Sequence, residues 1–194
     1  EDFVPLMPDE DAVYDEVIEI NLSDVEPMVA LPHSPGLVVS VREAGPIKVD
    51  QVAIGSCTNS SLRDLKIVAK ILKGKTISEN LHMFISPGSR QVVEHLINDG
   101  DYVDLVRAGA RIMENACGPC IGMGCAPASG SVSVRTFNRN FEGRSGTKDA
   151  RVYLVSPETA AATALTGRLT DPRDLGEYPE IELPKSFIIN DNMI

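Results

Sequence analysis

Two hydrophobic periods alternate along most of this chain. Residues 49–54 and 81–86 are short apolar runs suited to buried strands, and between them Leu62, Leu65, Val68 and Leu72 recur at helical spacing over 62–72. Further helices are predicted over 90–98 and 102–108, closed by Gly100 and Gly109, with a short strand over 111–113. The pattern stops around Cys117. It resumes with an alternating strand at 131–137, a strand at 151–155 and an alanine-rich helix at 157–166, whose N-cap is Ser156 and whose first residue is Pro157. Strands that alternate with helices predict an α/β fold: a mainly parallel sheet in a three-layer α/β/α arrangement.

Residues 1–48 do not share this rhythm. Ten carboxylates precede the first basic residue, Arg42, and Pro5, Pro8, Pro27, Pro32 and Pro35 punctuate the run. Within it only residues 16–22, with Val17, Ile18 and Ile20, carry a strand signal. The expected organisation is an acidic, proline-rich segment over 1–48 that packs on or links to the domain, an α/β domain over 49–170, and a C-terminal extension or linker over 171–194. A length of 194 residues suffices for one substantial core. A net charge of −10 argues against a nucleic-acid surface, which needs clustered Lys and Arg. No apolar run approaches the roughly 20 residues that cross a bilayer, and the acidic start is unlike a basic signal or transit peptide. The expectation is a soluble, cytoplasmic protein. The chain opens on Glu1-Asp2-Phe3 without a methionine, as expected of a processed product or a piece of something longer.

Candidate chemistry collects where the periodicity fails. Cys57 lies in Gly-Ser-Cys-Thr-Asn-Ser-Ser after the 49–54 strand, and Cys117 and Cys120 lie in Asn-Ala-Cys-Gly-Pro-Cys-Ile-Gly after the 111–113 strand. In an open α/β sheet, ligands gather beyond the carboxyl ends of the strands, and both segments fall there. The helix beginning near Leu62 places amides that favour a thiolate at Cys57, with Ser56 in a capping role. Gly118, Pro119 and Gly122 bend the backbone so that Cys117 and Cys120 face one point. Three soft ligands with no histidine nearby suggest an iron-sulfur cluster with one iron left open. A Cys-x-x-Cys pair alone suits half a zinc site or a redox dithiol equally well. A dithiol has no need of Cys57, and a structural zinc site wants a fourth ligand such as Cys125. Four cysteines are too few for a disulfide scaffold, which favours a reducing compartment. His33, His82 and His95 read as loop, strand and helix residues and not as ligands.

A second constellation, Asn138-Arg139-Asn140-Phe141-Glu142-Gly143-Arg144, follows the 131–137 strand. Arginines bind carboxylates through parallel hydrogen bonds, so Arg139 and Arg144 can clamp a polyanionic acid while Asn138 and Asn140 add neutral donors. An acidic chain needs such concentrated positive charge to hold an anionic ligand at all.

Together, residues 55–61, 115–122 and 138–144 resemble the iron-sulfur domain of the aconitase superfamily, and the resemblance runs from about Asp15 to Asp171. It implies that Cys57, Cys117 and Cys120 hold three irons of a 4Fe-4S cluster whose fourth iron is free for substrate. It also implies that Asn138, Arg139 and Arg144 bind the carboxylates of a small hydroxy-tricarboxylic or dicarboxylic acid. The implied reaction is isomerisation by loss and return of water. The family's catalytic base lies in other domains, so those domains are expected on the same polypeptide or a partner subunit. Residues 20–27 look more like aconitase proper, whereas Cys-Ile-Gly-Met-Gly and the run into Arg144 lean toward isopropylmalate and homoaconitate enzymes. Aconitate hydratase is the favoured expectation, with those two dehydratases as the alternative. A non-catalytic zinc module built on all four cysteines is the competing class.

Overall fold

The computed structural model describes residues 4–190. Its centre is a seven-stranded sheet made of β1 (Met28–Ala30), β2 (Val38–Ser40), β3 (Gln51–Gly55), β4 (His82–Ser86), β5 (Arg111–Ile112), β6 (Val132–Arg135) and β7 (Arg151–Leu154). The strand order is β2-β1-β7-β6-β3-β4-β5. From β7 to β5 every pairing is parallel, while β1 pairs antiparallel with both β2 and β7. The α/β fold with a mainly parallel sheet is therefore as the periodicity predicts. The helices are α1 (Val41–Ala44), α2 (Leu62–Leu72), α3 (Arg90–Asn98), α4 (Asp101–Arg107) and α5 (Pro157–Thr166).

Local chemistry accounts for the helix starts. Ser61 and Asp64 form a reciprocal capping box at α2, and Ser89 and Ser156 cap α3 and α5 by accepting from Val92 and Thr159 amides. Side chains alternate across each strand. One face, with Val52, Ile54, Met83, Ile85, Val134 and Val155, packs with α2 to α5 in a single core. The buried ammonium of Lys66 on α2 bonds Asp101 at 2.9 Å and so ties α2 to α4. The other face is covered by residues 114–130, which place Cys120 against Ala53, Phe84 and Phe137.

Residues 16–22 do not form the strand their composition suggests. Val17, Ile18 and Ile20 are 74%, 75% and 70% exposed, and the segment finds no sheet partner among the described residues. A short apolar run becomes a strand only when a neighbouring edge accepts its hydrogen bonds, and here that edge is taken by β1. The hairpin of β1 and β2 carried no usable signal because each strand has three residues and prolines lie on both sides. No helix among the described residues is long and apolar enough to cross a membrane.

Asp171 fastens the chain beyond α5 to its early part. Its buried carboxylate accepts from Arg173 at 2.6 Å and from Arg42 of α1 at 2.8 Å, and Arg173 reaches Glu26 at 3.3 Å. Arg173 first, and then Arg42, hold the Asp171 carboxyl well below the usual carboxylate range despite its burial. A carboxyl depressed in the folded state stabilises the fold above its unfolded pKa of about 3.9 and loses that contribution as pH falls further. Asp171→Asn should lower stability by about 1–2 kcal/mol at pH 7, a range trimmed by screening of the half-exposed arginines. The gap between variant and wild type should narrow below about pH 4 in denaturant titrations; a gap independent of pH would rule the charge out as its source.

Candidate functional site

The sheet reverses its winding between β3 and β6, since the chain moves outward through β4 and β5 on one side and through β6 and β7 on the other. Such a switch point opens a crevice at the carboxyl ends of the strands. Gly55 ends β3 there with φ 122°, and a Cβ on it would lie 2.0 Å from the Ser86 carbonyl oxygen of β4. Only glycine permits that approach. The next residue, Ser56, is the one non-glycine with positive φ (64°) among the described residues, and its amide donates to the same Ser86 carbonyl at 3.1 Å. The Ser60 hydroxyl bonds the Ser56 carbonyl, and Thr136 accepts from the Gly55 amide at 2.8 Å. This small knot turns Cys57 outward, exposed at the crevice.

Ser86 also holds the second cysteine segment. Its hydroxyl donates to the carbonyls of Glu114 (3.1 Å) and Ala116 (3.3 Å), while the Asn115 amide donates to the Pro87 carbonyl at 3.0 Å. Cys117 then precedes the 3-10 turn Gly118–Ile121. Cys117 is exposed, Cys120 is buried, and their sulfurs are 3.6 Å apart. Ser56, Cys57, Pro87, Gly88, Asn115 and Cys117 line a cavity of about 130 Å³. The structure thus brings the ends of β3, β4 and β5 to one crevice.

The thiols there differ in acidity. Hydroxyls of Thr58 and Ser56, each 3.9 Å from the Cys57 sulfur, draw that thiol below its ordinary value, whereas the neighbouring Cys120 pushes Cys117 up. The expected cause at Cys57 was the amides of the following helix. The cap of that helix is Ser61, which takes the Asp64 amide, so Ser56 is not the cap, and the hydroxyls flanking Cys57 are what lower its thiol. Cys125 is buried with its sulfur 3.6 Å from the Pro119 carbonyl, and desolvation raises its thiol. Among the described residues, no three His, Cys, Asp or Glu side chains are arranged to hold a single metal ion. A cluster makes a different demand, because each cysteine binds a different iron and the sulfurs need not converge on one point. Two exposed thiols beside a cavity and a buried third below one of them fit that demand.

The end of the arginine loop meets the Cys120 turn through backbone. A Cβ on Gly122 (φ 90°) would lie 2.2 Å from the Ser145 carbonyl, and one on Gly146 would lie 3.2 Å from the Ile121 carbonyl, so residues 145 and 146 pack closely on the Cys120 turn. Asn138 and Arg139 are exposed, and among the described residues neither side chain has a hydrogen bond or ion pair. The Arg144 guanidinium lies 5.8 Å over the Phe141 ring. Asn140 is not a free donor as expected. It is buried, and its amide donates to the carbonyls of Leu31 (2.9 Å) and Val152 (3.0 Å), pinning β1 to β7.

Two residues escaped the sequence reading. Arg135 of β6 is completely buried, donating to the carbonyls of Pro119 (2.9 Å) and Cys125 (2.8 Å), to Gln51 Oε1 (2.9 Å) and to Ser133 Oγ (3.0 Å). Gln51 of β3 adds a bond to the Cys125 carbonyl at 3.1 Å. The available signal was the alternation itself, which puts Ser133, Arg135 and Phe137 on the face opposite Val132 and Val134.

Cysteines gathered at the switch point of a parallel-centred α/β sheet make this crevice the candidate ligand site of the domain. The family model for the aconitase family (aconitate hydratase) matches residues 1–48 and 42–167, and the chain belongs to that family. It is 46% identical over 166 residues to the 3-isopropylmalate dehydratase large subunit of Clostridium botulinum, covering 84% of this chain and 39% of that protein. It is 46% identical over 171 residues to large subunit 1 of that enzyme from Methanopyrus kandleri, covering 87% and 41%. The large subunit from Lachnoclostridium phytofermentans is 43% identical over 169 residues, covering 86% and 40%. The chain thus spans about two fifths of the length of these curated relatives.

At neutral pH, iodoacetamide should label Cys57 faster than Cys117 in the metal-free, reduced chain, as site-resolved mass spectrometry would show. Thr58→Val should shift the Cys57 rate profile toward higher pH, because it removes the hydroxyl that favours the thiolate. An unmoved profile would mean that the hydroxyl does not act on this sulfur.

Proposed function

We propose that this chain is the cluster-binding part of an aconitase-family hydro-lyase, with 3-isopropylmalate or a similar branched hydroxy-dicarboxylic acid as the substrate of the whole enzyme. The observation that carries the reading is the convergence of Cys57, Cys117 and the Cys120 turn at the switch-point crevice. The relatives' names favour the isopropylmalate reading over the aconitate hydratase expected from residues 20–27. A closed zinc site is disfavoured because Cys125, its fourth ligand, is buried against the Pro119 carbonyl.

In this reading Cys57, Cys117 and Cys120 are the ligands of a 4Fe-4S cluster. When bound, such a cluster with one iron free of protein ligands supplies a Lewis acid for the departure and return of water. The remaining tasks fall to the chain's side chains. Arg139 and Arg144 fix the substrate carboxylates, and Asn138 donates to a hydroxyl or carboxylate oxygen at the crevice rim. Phe141 under Arg144 limits the rotation of its guanidinium, so less orientational entropy is lost on binding. The proton-transferring base and the groups that recognise the branched side chain belong to parts of the enzyme beyond these residues, on the same polypeptide or on a partner subunit.

The test begins with iron, zinc and acid-labile sulfide in protein purified without oxygen and reconstituted with iron and sulfide. Iron and sulfide in cluster proportion with little zinc is the expected result; stoichiometric zinc without sulfide would replace this reading with the structural module. Cys117→Ser should abolish the cluster while leaving the far-ultraviolet circular dichroism unchanged. In the assembled enzyme, turnover of 3-isopropylmalate should exceed that of citrate, and Arg144→Lys should lower kcat/KM at least about tenfold, or ~1.4 kcal/mol.

A further inference from the structure

The cysteine turn rests on a buried cation. Arg135 projects from β6 into the layer between the sheet and residues 114–130, and none of its surface reaches solvent. Burying a guanidinium costs several kcal/mol unless charge and hydrogen bonds offset it. Among the described residues no carboxylate pairs with it; its oxygen partners are the Pro119 and Cys125 carbonyls, Gln51 and Ser133, and its guanidinium carbon lies 5.3 Å from the centre of the Phe137 ring. Pro119 and Cys125 bracket Cys120, so one fork-shaped side chain grips the turn on both sides of the buried sulfur. Packing alone gives no reason for this placement, because a methionine would fill a similar volume without the desolvation cost.

We propose that Arg135 is a positioning residue for the proposed cluster site, gripping the Cys117–Cys125 turn and supplying a fixed positive charge beneath it. The proposal rests on the cluster reading given above for the charge, but not for the grip. The geometry divides the two roles. The hydrogen bonds to Pro119 and Cys125 hold the turn whether or not metal is present, since they run to backbone carbonyls. The charge acts when the cysteines ligate as thiolates and the site becomes anionic, where a low-dielectric surrounding strengthens the attraction. Gln51 and Ser133 orient the guanidinium from β3 and β6 without neutralising it, as a carboxylate would.

Arg135→Met and Arg135→Lys in the full chain separate these roles. In the metal-free form, amide hydrogen exchange over residues 116–125 should quicken at least tenfold in both variants while α2 and α5 stay protected. In the form reconstituted with iron and sulfide, the cluster's reduction potential should fall in Arg135→Met, because the missing positive charge favours the oxidised form. It should stay near wild type in Arg135→Lys. Wild-type exchange over 116–125 in a folded variant would overturn the grip, and an unchanged potential in Arg135→Met would overturn the charge role. If Arg135→Met does not fold, Arg135→Lys decides the grip by exchange, and a lowered potential in it would count against the charge role. Failure of the wild-type chain to take up iron and sulfide would overturn the cluster reading and the charge role together, and the exchange result would still decide the grip.

Discussion

The approach of Gly55 to the Ser86 carbonyl is the constraint from which the crevice follows. Two parallel strands end side by side, and the first must turn sharply within one residue of its last ladder position. The absence of a Cβ at Gly55 lets β3 and β4 close on each other, and the left-handed Ser56 then spends its amide on the same carbonyl. The Ser86 hydroxyl, meanwhile, reaches the chain leaving β5. One residue of β4 thereby sets the positions of both cysteine segments relative to each other. Substitution at Gly55 would separate the strand ends and displace Cys57 from Cys117 without touching either side chain.

How much of this was legible depended on whether a feature is local in the chain. Residues 62–72, 90–98 and 157–166 announce themselves through spacing, caps and flanking glycines, and the helices there carry the same bounds. The alternation of strands and helices also put both cysteine segments beyond the carboxyl ends of strands, although the strand order and the switch point were not predicted and come from the structure. What escaped is what depends on a distant partner. Residues 16–22 look like a strand but lack an edge to join, while Met28–Ala30 is too short to signal yet has β7 beside it. Asn140 looked like a ligand donor because its neighbours do, but two carbonyls more than ten residues away claim its amide. Arg135 was invisible for the same reason, since an arginine on an alternating strand normally faces water.

Charge on this chain is organised against its overall sign. The net charge of −10 repels an acidic ligand at long range, where solution ions screen it. Near the cysteine turn the charges are differently arranged: Arg139 and Arg144 make no ion pair among the described residues, and Arg135 is buried against the carbonyls of Pro119 and Cys125. Three other cations are committed to carboxylates that hold the fold: Lys66 to Asp99 and Asp101, and Arg42 and Arg173 to Asp171.

The main core and the turn that carries Cys120 occupy opposite faces of the sheet. The helices α2 to α5 share one apolar core in which no cysteine takes part, and Cys120 belongs to a small separate cluster with Ala53 and Phe137. Small metal-nucleated domains are built the other way round, with the ligands at the centre of the only core they have. If the cluster proposed above is bound, this division of labour makes its loss and return events on the surface of a sheet whose core stays packed, so the vessel outlasts its contents.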